Sequence, residues 1–238
     1  MKFKVLTGLV AGLVVSAITS VLFCQPSRAE NHSLFSNVAQ IGNSDLLAQQ
    51  KAEDFLKEGG EKYKKGDYQG AIAAFSQAIA IDPNYVQAYD ARGNARYRLG
   101  DHKGAIADFN EALRINPNYI AAYVNRGNAR DDSGDSQGAI ADYNEALRIN
   151  PNDAAVYYNR GVTRYRLKDN KGAVADFTEA VRIIPNFALA YANRGNIRAK
   201  LGDKEGAIQD FQKAADLFQK QGDKDSYQKA IDTLKKLQ

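Results

Sequence analysis

The chain has 238 residues, 44% of them hydrophobic, with 32 Lys and Arg against 28 Asp and Glu and a formal charge of +4. Lys2, Lys4 and Arg28 fall in the first 29 residues, which hold no acid, so the remainder carries 29 cations against 28 acids. A body this close to neutral gives no electrostatic footing for nucleic acid, and the single cysteine, Cys24, excludes a disulfide framework.

Met1 to Ala29 reads as an export signal. Lys2 and Lys4 form its positive end, Val5 to Phe23 is an apolar run without charge, and Ser27-Arg28-Ala29 offers small residues at a cleavage point. The apolar run is also near the lower limit for spanning a bilayer, so an uncleaved membrane anchor is the alternative. Leu22 and Phe23 stand where a lipid-attachment site at Cys24 would want small residues. Cleavage after Ala29 would leave a mature chain without a thiol. Residues 30–51 form a polar connector whose last part, from about Ser44, feeds into the first helix.

From there the sequence repeats. Near copies open at Gly100, Gly134, Lys168 and Gly202, with a looser one at Gly66, and Pro83, Pro117, Pro151 and Pro185 keep the same 34-residue beat. A period of this size marks a solenoid of small units that cannot bury their apolar faces alone. Within Val86–Tyr119, residues Tyr89, Gly93 and Tyr97 recur every four positions on one face of a first helix. Leu99-Gly100-Asp101 breaks it: Gly100 can take a positive φ, and Asp101 can accept the free amides of a second helix. Ala105, Ile106, Phe109, Ala112, Leu113 and Ile115 form that helix's apolar stripe, and Asn116-Pro117 ends it.

These features resemble the tetratricopeptide repeat family over Ala52 to about Ala214. The first-helix aromatics are Phe55, Tyr89, Tyr123, Tyr157 and Tyr191, each followed by a glycine, Gly59, Gly93, Gly127, Gly161 and Gly195. The second helices carry Ala71/Phe75, Ala105/Phe109, Ala139/Tyr143, Ala173/Phe177 and Ala207/Phe211, then Ala78, Ala112, Ala146, Ala180 and Ala214. Glycine and alanine permit close helix crossing, and the aromatics fill the seam between repeats. The resemblance implies an all-α fold: a right-handed α-solenoid of five helix-turn-helix units over 52–221, with a capping helix over 222–238. Two departures are informative. Lys168 replaces a turn glycine, so Asp169 or Asn170 is expected to take the left-handed position. Gln219 replaces the last proline, so the final second helix should run on to Gly222, before an amphipathic cap bearing Tyr227, Ile231, Leu234 and Leu237.

Arginines stand in pairs at Arg92/Arg96, Arg126/Arg130, Arg160/Arg164 and Arg194/Arg198. Such a row can grip phosphates or an acidic partner. It can equally pair inward with Asp108, Asp142, Asp176 and Asp210, which occur in the same four repeats. The first repeat has Glu58 and Ala74 instead, so the two residue types disappear together, and this favours the internal pair.

In the resembled family the first helices line a concave face that receives protein segments. By position, that lining here is Asn94, Tyr97 and Arg98, then Asn128 and Asp132, then Tyr158, Tyr165 and Arg166, then Asn196 and Lys200. Asparagine supplies a donor and an acceptor for a peptide backbone, and tyrosine supplies area at low entropic cost; each residue alone could equally be a solvated helix position. One family variant grips a C-terminal carboxylate with Lys-x-x-x-Asn. The corresponding pairs here are Leu56/Gly60, Asp90/Asn94, Val124/Asn128, Tyr158/Val162 and Ala192/Asn196, none with lysine, so no such clamp is expected. His32 and His102 fit no metal or triad spacing, and the glycines follow the repeat, so no catalytic residue, metal or cofactor is expected.

The expected role is an exported scaffold that binds a protein segment and aids assembly of an envelope or membrane complex. Its wording resembles tetratricopeptide proteins of cyanobacteria and other bacteria, which implies the periplasm or thylakoid lumen. The alternatives are a carbohydrate or cell-wall binder and a membrane-anchored subunit. Contact with a membrane is expected only if the N-terminal segment is retained.

Overall fold

The computed structural model describes residues 28–237, with side chains from residue 46 on. The N-terminal segment read as a signal or anchor lies outside the described residues up to position 27. Eleven helices, and no strands, are present among the described residues. They are α1 (Arg28–Lys64), α2 (Tyr68–Ile81), α3 (Val86–Arg98), α4 (His102–Ile115), α5 (Ile120–Asp132), α6 (Ser136–Ile149), α7 (Ala154–Arg166), α8 (Asn170–Ile183), α9 (Ala188–Lys200), α10 (Lys204–Gln221) and α11 (Lys224–Leu237). The chain from Gln50 onward, with all the helix pairs, forms one compact unit. The connector is helical throughout rather than only from about Ser44; it contains no proline to stop α1. No helix among the described residues is long and apolar enough to cross a membrane.

Each repeat is an antiparallel pair, and the turn between its helices is built the same way five times. Asp67, Asp101, Asp135, Asp169 and Asp203 each accept the amide of the glycine three residues on, at 2.9 Å, satisfying one of the amides a helix start leaves free. The residue before the aspartate lies in the left-handed region: φ is 81, 80, 94 and 87° at Gly66, Gly100, Gly134 and Gly202, and 65° at Lys168. Here the structure corrects the sequence reading. Lys168 itself takes the left-handed conformation, because moving it to Asp169 or Asn170 would break the cap. At the far end α10 runs to Gln221 and stops at Gly222 with φ 76°. Helix α11 then covers Phe211 and Ala215 with Ala230 and Leu234, joined by Tyr227, Ile231 and Leu237.

The core is a seam of small and aromatic residues. Phe75, Phe109, Tyr143, Phe177 and Phe211 are all buried, with Ala71, Ala105, Ala139, Ala173 and Ala207 fully so. Each aromatic ring lies on the first-helix glycine of its own repeat, so closely that a Cβ on Gly93 would come within 2.6 Å of Phe109. The seam continues into the next repeat: Phe109, Ala112 and Leu113 cluster with Ala122 and Ala129 of α5. No repeat therefore closes its own core, as a stacked array requires.

The arginine ladder is consumed inside this stack. Arg126 grips Asp142 with Nη2 to Oδ1 at 2.6 Å and Nε to Oδ2 at 3.0 Å, and Arg130 adds Nη1 to Oδ2 at 2.8 Å. Arg92/Arg96 with Asp108, Arg160/Arg164 with Asp176 and Arg194/Arg198 with Asp210 repeat the arrangement. The second arginine of each pair also comes within 3.5–4.0 Å of the capping aspartate, so each cluster sets two cations against two acids. The first reaches back into the preceding repeat, to Ser76, Asn110, Asn144 and Thr178. It also lies over the tyrosine three residues before it, at 5.3–5.5 Å. A row this fully engaged is no phosphate grip; it locks helix to helix and repeat to repeat.

Candidate functional site

Helix α3 touches α5, and α5 touches α7, in addition to their own partners. The first helices thus share an inner face, and side chains 35 residues apart meet on it: Asn125 with Asp90, Tyr97 with Asp132, Arg166 with Asp131, Asn193 with Tyr158, and Lys200 with Tyr165.

In the middle of this face is a recess of about 210 Å³ lined by Tyr97, Asn128, Asp131, Asp132, Tyr143, Tyr158, Asn159, Val162 and Arg166. Five of the ten residues expected from sequence come together there: Tyr97, Asn128, Asp132, Tyr158 and Arg166. A neighbouring recess of about 330 Å³ gathers Tyr165, Asn196 and Lys200 with Val162, Phe177, Asn193 and Ile197. Asn94 lines a third, beside Asp90. Arg98 joins none of these; its guanidinium lies over the Tyr68 ring at 5.4 Å.

The central recess is wired. Asp131 accepts from Arg166 Nη1 at 2.5 Å, Thr163 Oγ1 at 2.9 Å and Ser136 Oγ at 2.6 Å. The Tyr143 hydroxyl donates to Asn128 Oδ1 at 2.8 Å, and Asn159 Nδ2 donates to the same oxygen at 3.3 Å. Tyr97 donates to Asp132. Burial, aided by that hydrogen bond, pushes the Tyr97 phenol up to about 12, and burial together with the charge of Asp131 pushes Tyr143 up as well. Both phenols stay neutral donors at physiological pH. The Tyr158 ring packs at 5.6 Å from Phe177 and 4.9 Å from Phe187, which fixes it as a wall. The amide oxygens of Asn94, Asn159 and Asn193 accept no hydrogen bond among the described residues, leaving acceptors along the face.

Asp131, Tyr143, Asn159 and Thr163 were not expected here. A signal for three of them exists in the repeat itself. Asp131 stands where the other repeats have Tyr97, Tyr165 and Ala199, Tyr143 where they have phenylalanine, and Thr163 where they have Ala95, Ala129 and Ile197. The polar departures from the chain's own pattern cluster in space, which their spacing along the sequence hides.

Stacked antiparallel helix pairs with an open inner face define a helical repeat scaffold. Tetratricopeptide-repeat profiles match residues 59–100, 93–134, 128–168, 154–187 and 188–221. The chain belongs to the tetratricopeptide repeat family. No curated protein matches it. Among solved structures, it is similar to MamA at 26% identity and a TM-score of 0.65, over 69% of this chain and 96% of that one. It is also similar to the first repeat domain of Spaghetti (RPAP3) bound to the HSP90 peptide SRMEEVD, at 28% identity and a TM-score of 0.50, over 50% of this chain and 95% of that one. YrrB, described as a repeat protein with an unusual peptide-binding site, shares the fold at 20% identity and a TM-score of 0.62, over 82% of this chain and 97% of it.

Proposed function

We propose that this protein is a scaffold that holds an extended segment of a partner protein along the inner face of α3, α5, α7 and α9. The observation that carries the reading is the convergence of Tyr97, Asp131, Tyr158, Asn159 and Arg166, from three successive repeats, on one recess. Fixed aromatic walls contribute contact area, and amide groups at intervals meet a backbone whatever its sequence. The peptide bound by the Spaghetti repeat domain supports this use of the fold.

The reading extends to place and purpose. The N-terminal pattern of Lys2, Lys4, the apolar run and Ala29 supports export, to the periplasm or thylakoid lumen, and assistance to an envelope or membrane complex. A native protein beginning at Glu30 by mass spectrometry would support it; one beginning at Met1 or Lys2 would argue for an anchored subunit.

A photoreactive phenylalanine analogue at Tyr158 tests the groove, with the same analogue at Arg114 on the outer side of α4 as control. A reproducible crosslink to one protein from Tyr158 alone is expected. Crosslinks that are equal from both positions, or retention on purified cell wall without any protein adduct, would remove the reading.

A further inference from the structure

On helices α3, α5, α7 and α9 the acids are Asp90 on α3, and Asp131 and Asp132 on α5. Arg166 reaches both of the latter. Asp90 pairs with no cation among the described residues. Its Oδ1 accepts from Asn125 Nδ2 at 2.9 Å and its Oδ2 from Asn94 Nδ2 at 3.2 Å. These two amides, from successive repeats, hold the carboxylate at the edge of a recess of about 300 Å³ lined by Tyr63, Lys64, Phe75, Ala91 and Asn94. Lys64 lines this recess, yet no ion pair joins it to Asp90. The equivalent positions in the other repeats are Leu56, Val124, Tyr158 and Ala192, so the charge is peculiar to this one.

A half-buried carboxylate without a counter-ion among the described residues is a costly arrangement. Burial raises its pKa, partly offset by the Asn125 hydrogen bond. The two amides use one lone pair on each oxygen; about four acceptor sites exist on a carboxylate, so about two remain. The walls beside it, Phe75, Tyr63 and Ala91, are apolar. A charged terminus on a flexible hydrocarbon stem matches both features, the stem lying on the apolar wall and the cation meeting the acid.

We propose that Asp90 is the receptor for a lysine or arginine side chain of the bound segment, so that the groove selects a cationic residue at the position that reaches the α1–α3 recess. The inference rests on the groove reading above. It reverses the sign of the grip that a lysine at this position would give.

The test uses the full chain, immobilised, and a randomised dodecapeptide library, with wild type, Asp90→Asn and Asp90→Lys in parallel. Wild type is expected to enrich Lys or Arg at one position at least about tenfold. Asp90→Asn keeps the side-chain size and should lose that enrichment, with at least about tenfold weaker binding of the selected peptides. Asp90→Lys should select acids instead. Circular dichroism of each variant confirms that the fold is intact. Peptides enriched without a cationic position, or with the same preference in Asp90→Asn, overturn this inference and leave the groove reading standing. Retention of no peptide by any variant overturns both.

Discussion

Asp142→Ala should be one of the most damaging single substitutions in the chain. The aspartate is 2% exposed, and it is shared by Arg126 and Arg130, whose side chains are 16% and 25% exposed. Removing one member of a buried pair costs about 3–5 kcal/mol, because the stranded charge cannot rehydrate. Both arginines retain some access to water, and Arg126 keeps Asn110, so the lower end applies, about 3 kcal/mol. For a chain of this size that is a fall of about 6–12 °C in Tm. Arg126→Ala leaves Asp142 with Arg130 and should cost about 2 kcal/mol. The double variant should fall short of the sum by about 1–2 kcal/mol. Glu145→Ala is the internal control: its bond to Arg148 at 2.8 Å is largely exposed and should be worth less than about 1 kcal/mol. Urea and thermal denaturation of the four variants complete the measurement. Additivity within about 0.5 kcal/mol, or an Asp142→Ala loss no larger than the Glu145→Ala one, would refute the claim that the arginine ladder is structural.

Three more outcomes follow from individual positions. Gly59→Ala should destabilise by about 1–3 kcal/mol, since its Cβ would lie 2.4 Å from the buried Phe75 ring, whereas the adjacent Gly60→Ala meets nothing and should stabilise α1 by up to about 1 kcal/mol; thermal melts of both variants decide it. Lys168→Gly should raise Tm slightly, by roughly 0.5–1 kcal/mol of stability, because the left-handed turn strains a side chain that Gly100, Gly134 and Gly202 avoid. Asp90→Asn should be more stable than wild type at neutral pH. The raised pKa of Asp90 means that the folded state carries an ionisation penalty, complete above the folded pKa and lost as the pH falls through it toward the unfolded value. Melts taken across pH 3 to 8 should show the two proteins converging in acid; a wild type that is the more stable at neutral pH would contradict the desolvation.

Much of the architecture was open to reading from one dimension because the repeat states each rule four or five times. Turn glycines, capping aspartates and alanine–aromatic spacings are local requirements, set by φ, by unpaired amides and by helix pitch, and they need no knowledge of the fold to be recognised. The joint absence of arginine and aspartate from the first repeat exposed the internal ion pair by the same logic. Lys168 shows where local reasoning stopped: a preference against positive φ lost to a cap and a turn shared with every other repeat.

The inner face is different. Which side chains meet across repeats depends on how one hairpin leans on the next, a relation between residues 35 positions apart that a 34-residue pattern does not express. Residue order alone therefore determined the repeat, its turns and its seam. Only the stacking decided that Asp131 would be neutralised by Arg166, that Tyr143 would bring a hydroxyl to Asn128, and that Asp90 would be left facing a largely apolar recess, held by amides and without a paired cation among the described residues. Secondary structure answers to neighbours along the chain, whereas burial and charge pairing answer to neighbours in space.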